Sequence, residues 1–426
     1  MEKKPHILVV PFPAQGHIAP LVKFSSLLVD HGIKVTFVNI KSMHEMIVST
    51  VPDRKDEERE NFIHFVSIPD ELDLKDDNQG PRNPIDIMLK SVSFHVEELI
   101  MKVSESEDEK IDCVIADASV GRTLEVVERF GIKGVAFWPA SCDIDNHGNP
   151  MKEEVIRLPL SMPAMSSVDL IWGFSNDPSL KEIMLTFIRD VNRAAKVAKW
   201  ILCNSFYELE PASHNSIPNI LSIGPLLATE KQGHPTGQLF QEDFSCLNWL
   251  DQQPLQSVIY VAFGSTTLLN QPFLWVFRTG LTGDLSTSFP DEFKETIAQH
   301  GKVVNWAPQQ KVLAHPSVAC FITHCGWNST MEGVSMGVPL LCWPYVADQF
   351  HNQNYICKIW QVGLNFDKDE NGIITRSEIN RKVHELLGDG GIRSRANKLK
   401  GMAKISISEG GYSSKNLQDF LDKVKY

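Results

Sequence analysis

One stretch constrains this chain more than any other. It comprises the 44 residues from Trp306 to Gln349 inclusive, WAPQQKVLAHPSVACFITHCGWNSTMEGVSMGVPLLCWPYVADQ. It reads as a short helix (Gln309 to Ala314), a buried strand (Val318 to His324), a tight turn, a helix (Asn328 to Met336) and a second buried strand (Val338 to Trp343). Two β-branched apolar runs separated by a helix form a βαβ unit, so the strands are expected to be parallel. The turn between them, His324 to Thr330, ends a strand and opens a helix. N–H groups without intrahelical acceptors and the positive helix end project there, a setting that suits a phosphate. Gly326 lets a ligand approach the backbone closely, and Asn328 and Ser329 are of the types that cap a helix and donate to an anion. The bland alternative is an ordinary βαβ unit whose Trp and His fill a core.

The rest of the chain alternates in the same way. His6 to Pro13 is a continuous apolar run of the kind buried on both sides in a parallel sheet. A loop, Ala14 to Pro20, leads to a helix from Leu21 to Asp30. Strands are predicted at Lys34 to Ile40, Phe62 to Ile68, Cys113 to Asp117, Gly134 to Pro139, Trp200 to Ser205 and Ile220 to Gly224, with helices at Ile85 to Glu105 and Val120 to Phe130. Pro225 to Phe244 is polar and glycine-bearing and reads as a linker. Beyond it come a short helix (Cys246 to Gln252), strands at Val258 to Phe263 and Phe273 to Phe277, the stretch above, and helices at Ala347 to Trp360, Arg376 to Leu387, Arg393 to Ser408 and Ser414 to Val424. At 426 residues the chain exceeds one ordinary core. Strand–helix alternation on this scale means two doubly wound α/β domains.

A net charge of −12 argues against nucleic acid or an anionic membrane as main partner. No apolar run reaches the roughly 18 residues of a membrane span. The N-terminus enters a strand without a cleavage site, so no secretory leader is expected. Eight scattered cysteines show no zinc spacing and read as reduced thiols of a cytoplasmic protein.

Trp306 to Gln349 resembles, along its whole length, the donor-binding signature of the plant family-1 UDP-glycosyltransferases, including its first Trp, its HCGWNS centre and its closing Asp-Gln. The resemblance implies a GT-B fold: α/β, two facing Rossmann-like domains with parallel sheets and an interdomain cleft. It places an acceptor-binding domain at residues 1–225, a linker at 226–245, a UDP-sugar-binding domain at 246–408, and a last helix within 409–426 that packs back on the first domain. It implies that Trp306 stacks on uracil while the Ala307 backbone reads its edge, and that Gln309 and Glu332 hold the ribose hydroxyls. His324, Asn328 and Ser329 would hold the diphosphate beside Gly326; Trp327, Asp348 and Gln349 would face the sugar. Ser265, in the Gly264-Ser265 turn, would also reach the phosphates. Each role fits its chemistry: an indole face for a base, a carboxylate for paired hydroxyls, N–H donors for phosphate. Gln349 points to UDP-glucose. The implied partners are a UDP-sugar and a small lipophilic acceptor; the implied enzyme is a monomer needing neither cofactor nor metal.

Two residues outside the signature carry the chemistry. An acceptor hydroxyl needs a general base to attack a sugar carbon, and imidazole titrates near working pH. His17 follows the first strand and Asp117 ends CVIAD. Both lie at carboxyl ends of strands, where open α/β sheets place ligands. An Asp that orients a His follows the logic of catalytic triads. The resemblance assigns the same roles, with His17 in PAQGHIAP as base and Asp117 as its partner, in an inverting displacement.

Other candidates carry less. Asp367 through Glu378 fits a calcium-loop pattern, but a strand precedes it where an EF-hand needs a helix, so a plain turn is expected. Asp143-Ile144-Asp145 is a short match to a metal-binding DxD. Met43, Met46, Met162 and Met165 are candidates for an adaptable acceptor site or for core filling. A nicotinamide-dependent oxidoreductase is the more distant alternative, since PFPAQGHIAP is not a G-x-G-x-x-G turn. The chain also looks short in two places. Only Thr266 to Pro272 separate the Gly264-Ser265 turn from the next strand, where a parallel crossover takes a dozen residues or more. Helical sequence of the family is also lacking after Pro139. Two missing segments raise the alternative of an impaired UDP-sugar-binding pseudoenzyme or splice variant.

Overall fold

The computed structural model describes residues 4–50, 63–70, 83–104, 110–140, 177–217, 219–228, 237–262, 271–277, 295, 297 and 299–425. They form two compact units. The first combines Met1–Lys152, Ser175–Phe240 and Ser406–Tyr426; the second contains Gln241–Ile405.

The first unit runs β1 (His6–Val10), α1 (Gln15–Asp30), β2 (Lys34–Ile40), α2 (Lys41–Thr50), β3 (His64–Ile68), α3 (Pro84–Val103), β4 (Cys113–Asp117), a 3₁₀ turn at Ala118–Val120, α4 (Gly121–Arg129), β5 (Lys133–Trp138), α5 (Pro178–Val197), β6 (Trp200–Cys203), α6 (Pro211–Ser216) and β7 (Ile220–Ser222). Its sheet has the order β3-β2-β1-β4-β5-β6-β7 with every pair parallel. Side chains alternate across it with period two. Ile7, Val9, Val35, Phe37, Cys113 and Ile115 meet α1 on one side. Leu8, Val10, Val38, Val114 and Ala116 meet α3 and α4 on the other.

The second unit runs α7 (Ser245–Leu250), β8 (Val258–Ala262), β9 (Phe273–Val276), β10 (Gly301–Val304), α8 (Gln309–Ala314), β11 (Val318–Thr323), α9 (Trp327–Met336), β12 (Leu340–Cys342), α10 (Gln349–Asn354) with a π-helical turn (Tyr355–Ile359), β13 (Gly363–Asn365), α11 (Arg376–Gly388) and most of α12 (Gly390–Ile407). Its sheet order is β10-β9-β8-β11-β12-β13, again parallel throughout. Numbered within its own unit, the first sheet reads 3-2-1-4-5-6-7 and the second 3-2-1-4-5-6, the doubly wound order whose direction reverses between strands 1 and 4.

The last helix, α13 (Tyr412–Lys425), belongs to the first unit: Phe420, Leu421 and Val424 are buried in the cluster beneath α1. Part of the stretch expected to be a linker also packs there. Leu226 and Leu239 are buried in the same cluster, and Gln15 binds residues 237–239 through the Gly237 carbonyl, the Gln238 side chain and the Leu239 N–H.

Two other expectations change. Helix α1 begins at Gln15 rather than Leu21, with Ala14 as N-cap and Pro20 inside it. Pro20 looks like a helix-opening proline in the sequence, but apolar burial from Ile18 onward carries the helix past it. Strands β8 and β9 pair in parallel, Ile259 beside Phe273, although only residues 263–272 join them. The register returns just a few residues, and ten extended residues reach about 33 Å, so a dozen is not required. Residues 263–270 lie outside the described residues, as do Asp143, Asp145, Met162, Met165 and the segment after Ala140. The Asp367–Glu378 loop is a turn following a strand. Asp369 Oδ1 accepts from the N–H groups of Asn371 and Ile373, and Arg381 bridges Asp367 and Glu378. Met43 and Met46 pack against the first unit's core.

Candidate active site

At the reversal point of the first sheet, β1 and β4 are neighbours. The chain leaving β1 turns into α1 and places His17 in that helix's first turn, not in a loop. The chain leaving β4 ends on Asp117. Their side chains meet, His17 Nδ1 to Asp117 Oδ2 at 2.8 Å. Asp117 is fully buried, whereas the His17 side chain is 28% exposed. The second Asp117 oxygen accepts the Ser119 N–H at 2.8 Å, capping the 3₁₀ turn. A carboxylate only accepts, so Nδ1 carries the hydrogen and Nε2 keeps a lone pair.

Two supports of this pair escaped sequence reasoning. Phe12 packs between His17, its ring tilted with centroids 5.0 Å apart, and Phe187 of α5, edge-on at 4.9 Å. Helix α5 also lies so close to the turn after Asp117 that a Cβ on Gly121 would overlap the Asp190 carbonyl. Asp190 takes the Arg122 side chain and its N–H. Burial pushes the Asp190 carboxyl up, with the Arg122 charge opposing it.

The second sheet reverses between β8 and β11. Beyond β11, Cys325 takes a left-handed backbone (φ 65°), uncommon for a side-chain-bearing residue and costly by about 1–2 kcal/mol. Thr323 Oγ1 accepts its N–H at 3.1 Å. Gly326 then caps α9, which starts at Trp327. Asn328 and Ser329 are therefore first-turn residues rather than caps, and no side chain occupies the cap position. Gly326 has φ −60°, so its requirement is steric: a Cβ would overlap the Nε2 of His324, whose ring lies over it. Several of the expected site residues meet beside this turn. Gln309 Nε2 donates to Ser329 Oγ and to Glu332 Oε2, both at 2.9 Å. The buried Tyr260 hydroxyl donates to Gln309 Oε1 at 3.2 Å. Burial, then the Glu332 charge, keep that phenol well above its ordinary pKa. Ala307 is buried and Trp306 half-buried, with the Trp306 carbonyl taking the Asp243 N–H.

Two assignments shift. The Trp327 indole is 3% exposed and lies 6.3 Å from the Trp360 ring, so it presents no open face to a sugar. Gln349 spends its carbonyl on the N–H groups of Tyr345 and Val346, at 2.9 and 3.0 Å, which leaves its NH₂ as the donor to a ligand. Asp348 follows a second left-handed residue, Ala347 (φ 56°). Ser265 lies outside the described residues.

A family model described as UDP-glucoronosyl and UDP-glucosyl transferase matches residues 180–399, more than half of the chain. The chain belongs to the UDP-glycosyltransferases. It is 37% identical to UDP-glycosyltransferase 83A1 of Arabidopsis thaliana, over 99% of this chain and 97% of the relative. It is 32% identical to (R)-mandelonitrile beta-glucosyltransferase of Prunus dulcis, over 99% of this chain and 98% of the relative. Among solved structures, Os79 from O. sativa in complex with UDP superposes with a TM-score of 0.79 at 25% identity, covering 98% of this chain and 100% of the other. This glycosyltransferase thus has the GT-B fold of two parallel-sheet α/β domains. The first of these alignments spans 457 positions, more than the 426 residues here, so that relative carries segments this glycosyltransferase lacks. Among the described residues no helix is long and apolar enough to cross a membrane.

Proposed function

We propose that this glycosyltransferase moves a hexose, glucose by the reading of Gln349, from a UDP-sugar to a hydroxyl or carboxyl of a small lipophilic acceptor, with inversion. The observation that carries the reading is the 2.8 Å contact between partly exposed His17 and buried Asp117 at the first sheet's reversal point. Nε2 of His17 takes the acceptor proton as the acceptor oxygen bonds to the anomeric carbon. The bond from that carbon to the diphosphate oxygen breaks, and UDP leaves with the electron pair. Asp117 holds the imidazolium that forms.

The donor rests on the second unit. The Gln309, Ser329 and Glu332 network suits the ribose, and Trp306 suits uracil. His324 and the opening of α9 take the diphosphate charge without metal. Os79 bound to UDP and the mandelonitrile glucosyltransferase support a nucleotide donor and a small acceptor by similarity. A cytoplasmic monomer is part of the same reading.

The test is UDP release from UDP-glucose with a panel of hydroxylated aromatic and terpenoid acceptors, with and without EDTA. Acceptor-dependent release that EDTA leaves unchanged and that His17→Ala abolishes is the expected result. The segments that the Arabidopsis relative carries and this chain lacks favour one second reading, a UDP-sugar-binding protein without transfer. UDP binding by calorimetry with no release under any acceptor would establish it.

A further inference from the structure

Asn352 lies in α10, three residues beyond the signature, and is fully buried. Its side-chain nitrogen donates two hydrogen bonds of 2.9 Å, one to the Cys325 carbonyl and one to Asp348 Oδ2. One amide therefore joins the turn beyond β11 to the carboxylate beyond β12. Both ends of this strut are set in left-handed backbone, at Cys325 itself and at Ala347 beside Asp348. The Asn352 N–H also bonds to the Asp348 carbonyl at 2.9 Å, which fixes the two residues in one helical turn. Its Oδ1 meets no donor among the described residues. A buried acceptor without a donor is a cost, so packing alone does not account for an asparagine here.

We infer that Asn352 is a positioning residue for the donor sugar: it measures the Asp348 carboxylate off the Cys325 carbonyl and so fixes where the sugar-facing acid stands relative to the diphosphate turn. The inference rests on the reading of Asp348 as the sugar's partner. The turn itself keeps its Thr323 tie when Asn352 is replaced. Loss of the strut is therefore felt at the sugar and much less at UDP.

The experiment compares calorimetric affinities for UDP and for UDP-glucose in the wild type, Asn352→Leu, Asn352→Asp, Asp348→Asn and the Asn352→Leu/Asp348→Asn pair. UDP stoichiometry counts competent sites in each variant. Asn352→Leu is expected to weaken UDP-glucose about ten- to a hundredfold, the scale of one bond to a charged group, with UDP changed less than threefold. Asn352→Asp keeps the volume but sets an acceptor against Asp348, and loses at least as much. The double variant is expected to be no worse than Asp348→Asn by more than about twofold, because the two act as a unit. Equal weakening of UDP and UDP-glucose would reduce Asn352 to a fold strut and overturn the inference, as would losses that multiply in the double variant. If Asp348→Asn leaves the UDP-glucose affinity unchanged, the sugar-facing reading of Asp348 fails, and the inference fails with it.

Discussion

In the first sheet, the two residues at the reversal point, His17 and Asp117, come from segments a hundred positions apart. In the second, Gln309, His324, Ser329, Glu332 and Asp348 all arise within 44 residues, from 306 to 349. The strand order is the same, so the topology does not dictate the difference. The task does. A base and its orienting carboxylate need two side chains aimed at each other, and two neighbouring strands supply them. A nucleotide needs a series of backbone and side-chain groups along its length, and one βαβ unit with its flanking turns supplies those in sequence. The first site is held by helices packed behind it; the second is shaped by the backbone itself.

His17→Ala breaks the comparison most sharply. It is expected to lower acceptor-dependent UDP release by about a hundred- to ten-thousandfold, with UDP affinity by calorimetry unchanged. Parallel loss of both would mean that the base also binds donor. Glu332→Gln is the converse. UDP affinity is expected to fall about tenfold, one charge-assisted bond, while the ratio of turnover between acceptors stays constant. The two glycines sharpen the contrast in kind. Gly121→Ala drives a Cβ into the Asp190 backbone and is expected to cost about 1–3 kcal/mol, read as a lower melting temperature. Gly326→Ala displaces only the His324 ring and is expected to weaken UDP by several fold with the melt nearly unchanged. A larger melting loss at Gly326 than at Gly121 would reverse the assignment of which site is held by packing.

The smallest effect concerns acid. Burial pushes His214 down to about 4 from its ordinary 6.5. The unfolded chain therefore binds a proton that the folded one refuses. His214 favours folding fully above pH 6.5, and that contribution is lost as pH falls toward 4. His214→Gln is expected to flatten the melting temperature over that window while leaving UDP affinity alone, which marks it as a feature of the first unit's fold.

How much of this was legible follows from the same contrast. Strands buried on both sides announce themselves as apolar runs, and β1, β4, β8 and β11 fall where the runs predict. Strand β10, four residues mostly half-buried at the sheet edge, has no such signal. Pro20 hid the true start of α1, because a proline reads as an opening when burial on both sides of it is invisible. Gly326 was legible as necessary but for another reason: the chain needs room for its own histidine there, not only for a ligand. Phe12 and Asn352 were missed because their partners, Phe187, Cys325 and Asp348, are known only once the chain is folded.

The last helix carries a consequence for synthesis. A chain emerging from the ribosome folds domain by domain, the earlier part usually first. Here the segment Gln241–Ile405 is continuous, while the first unit's core waits for Phe420, Leu421 and Val424. Each of these side chains is worth about 1.5–3 kcal/mol when buried, too much for a marginal core to forgo. The unit that is begun first is therefore completed after the second, and until Phe420, Leu421 and Val424 emerge the apolar side chains they cover in the first unit lack their partners.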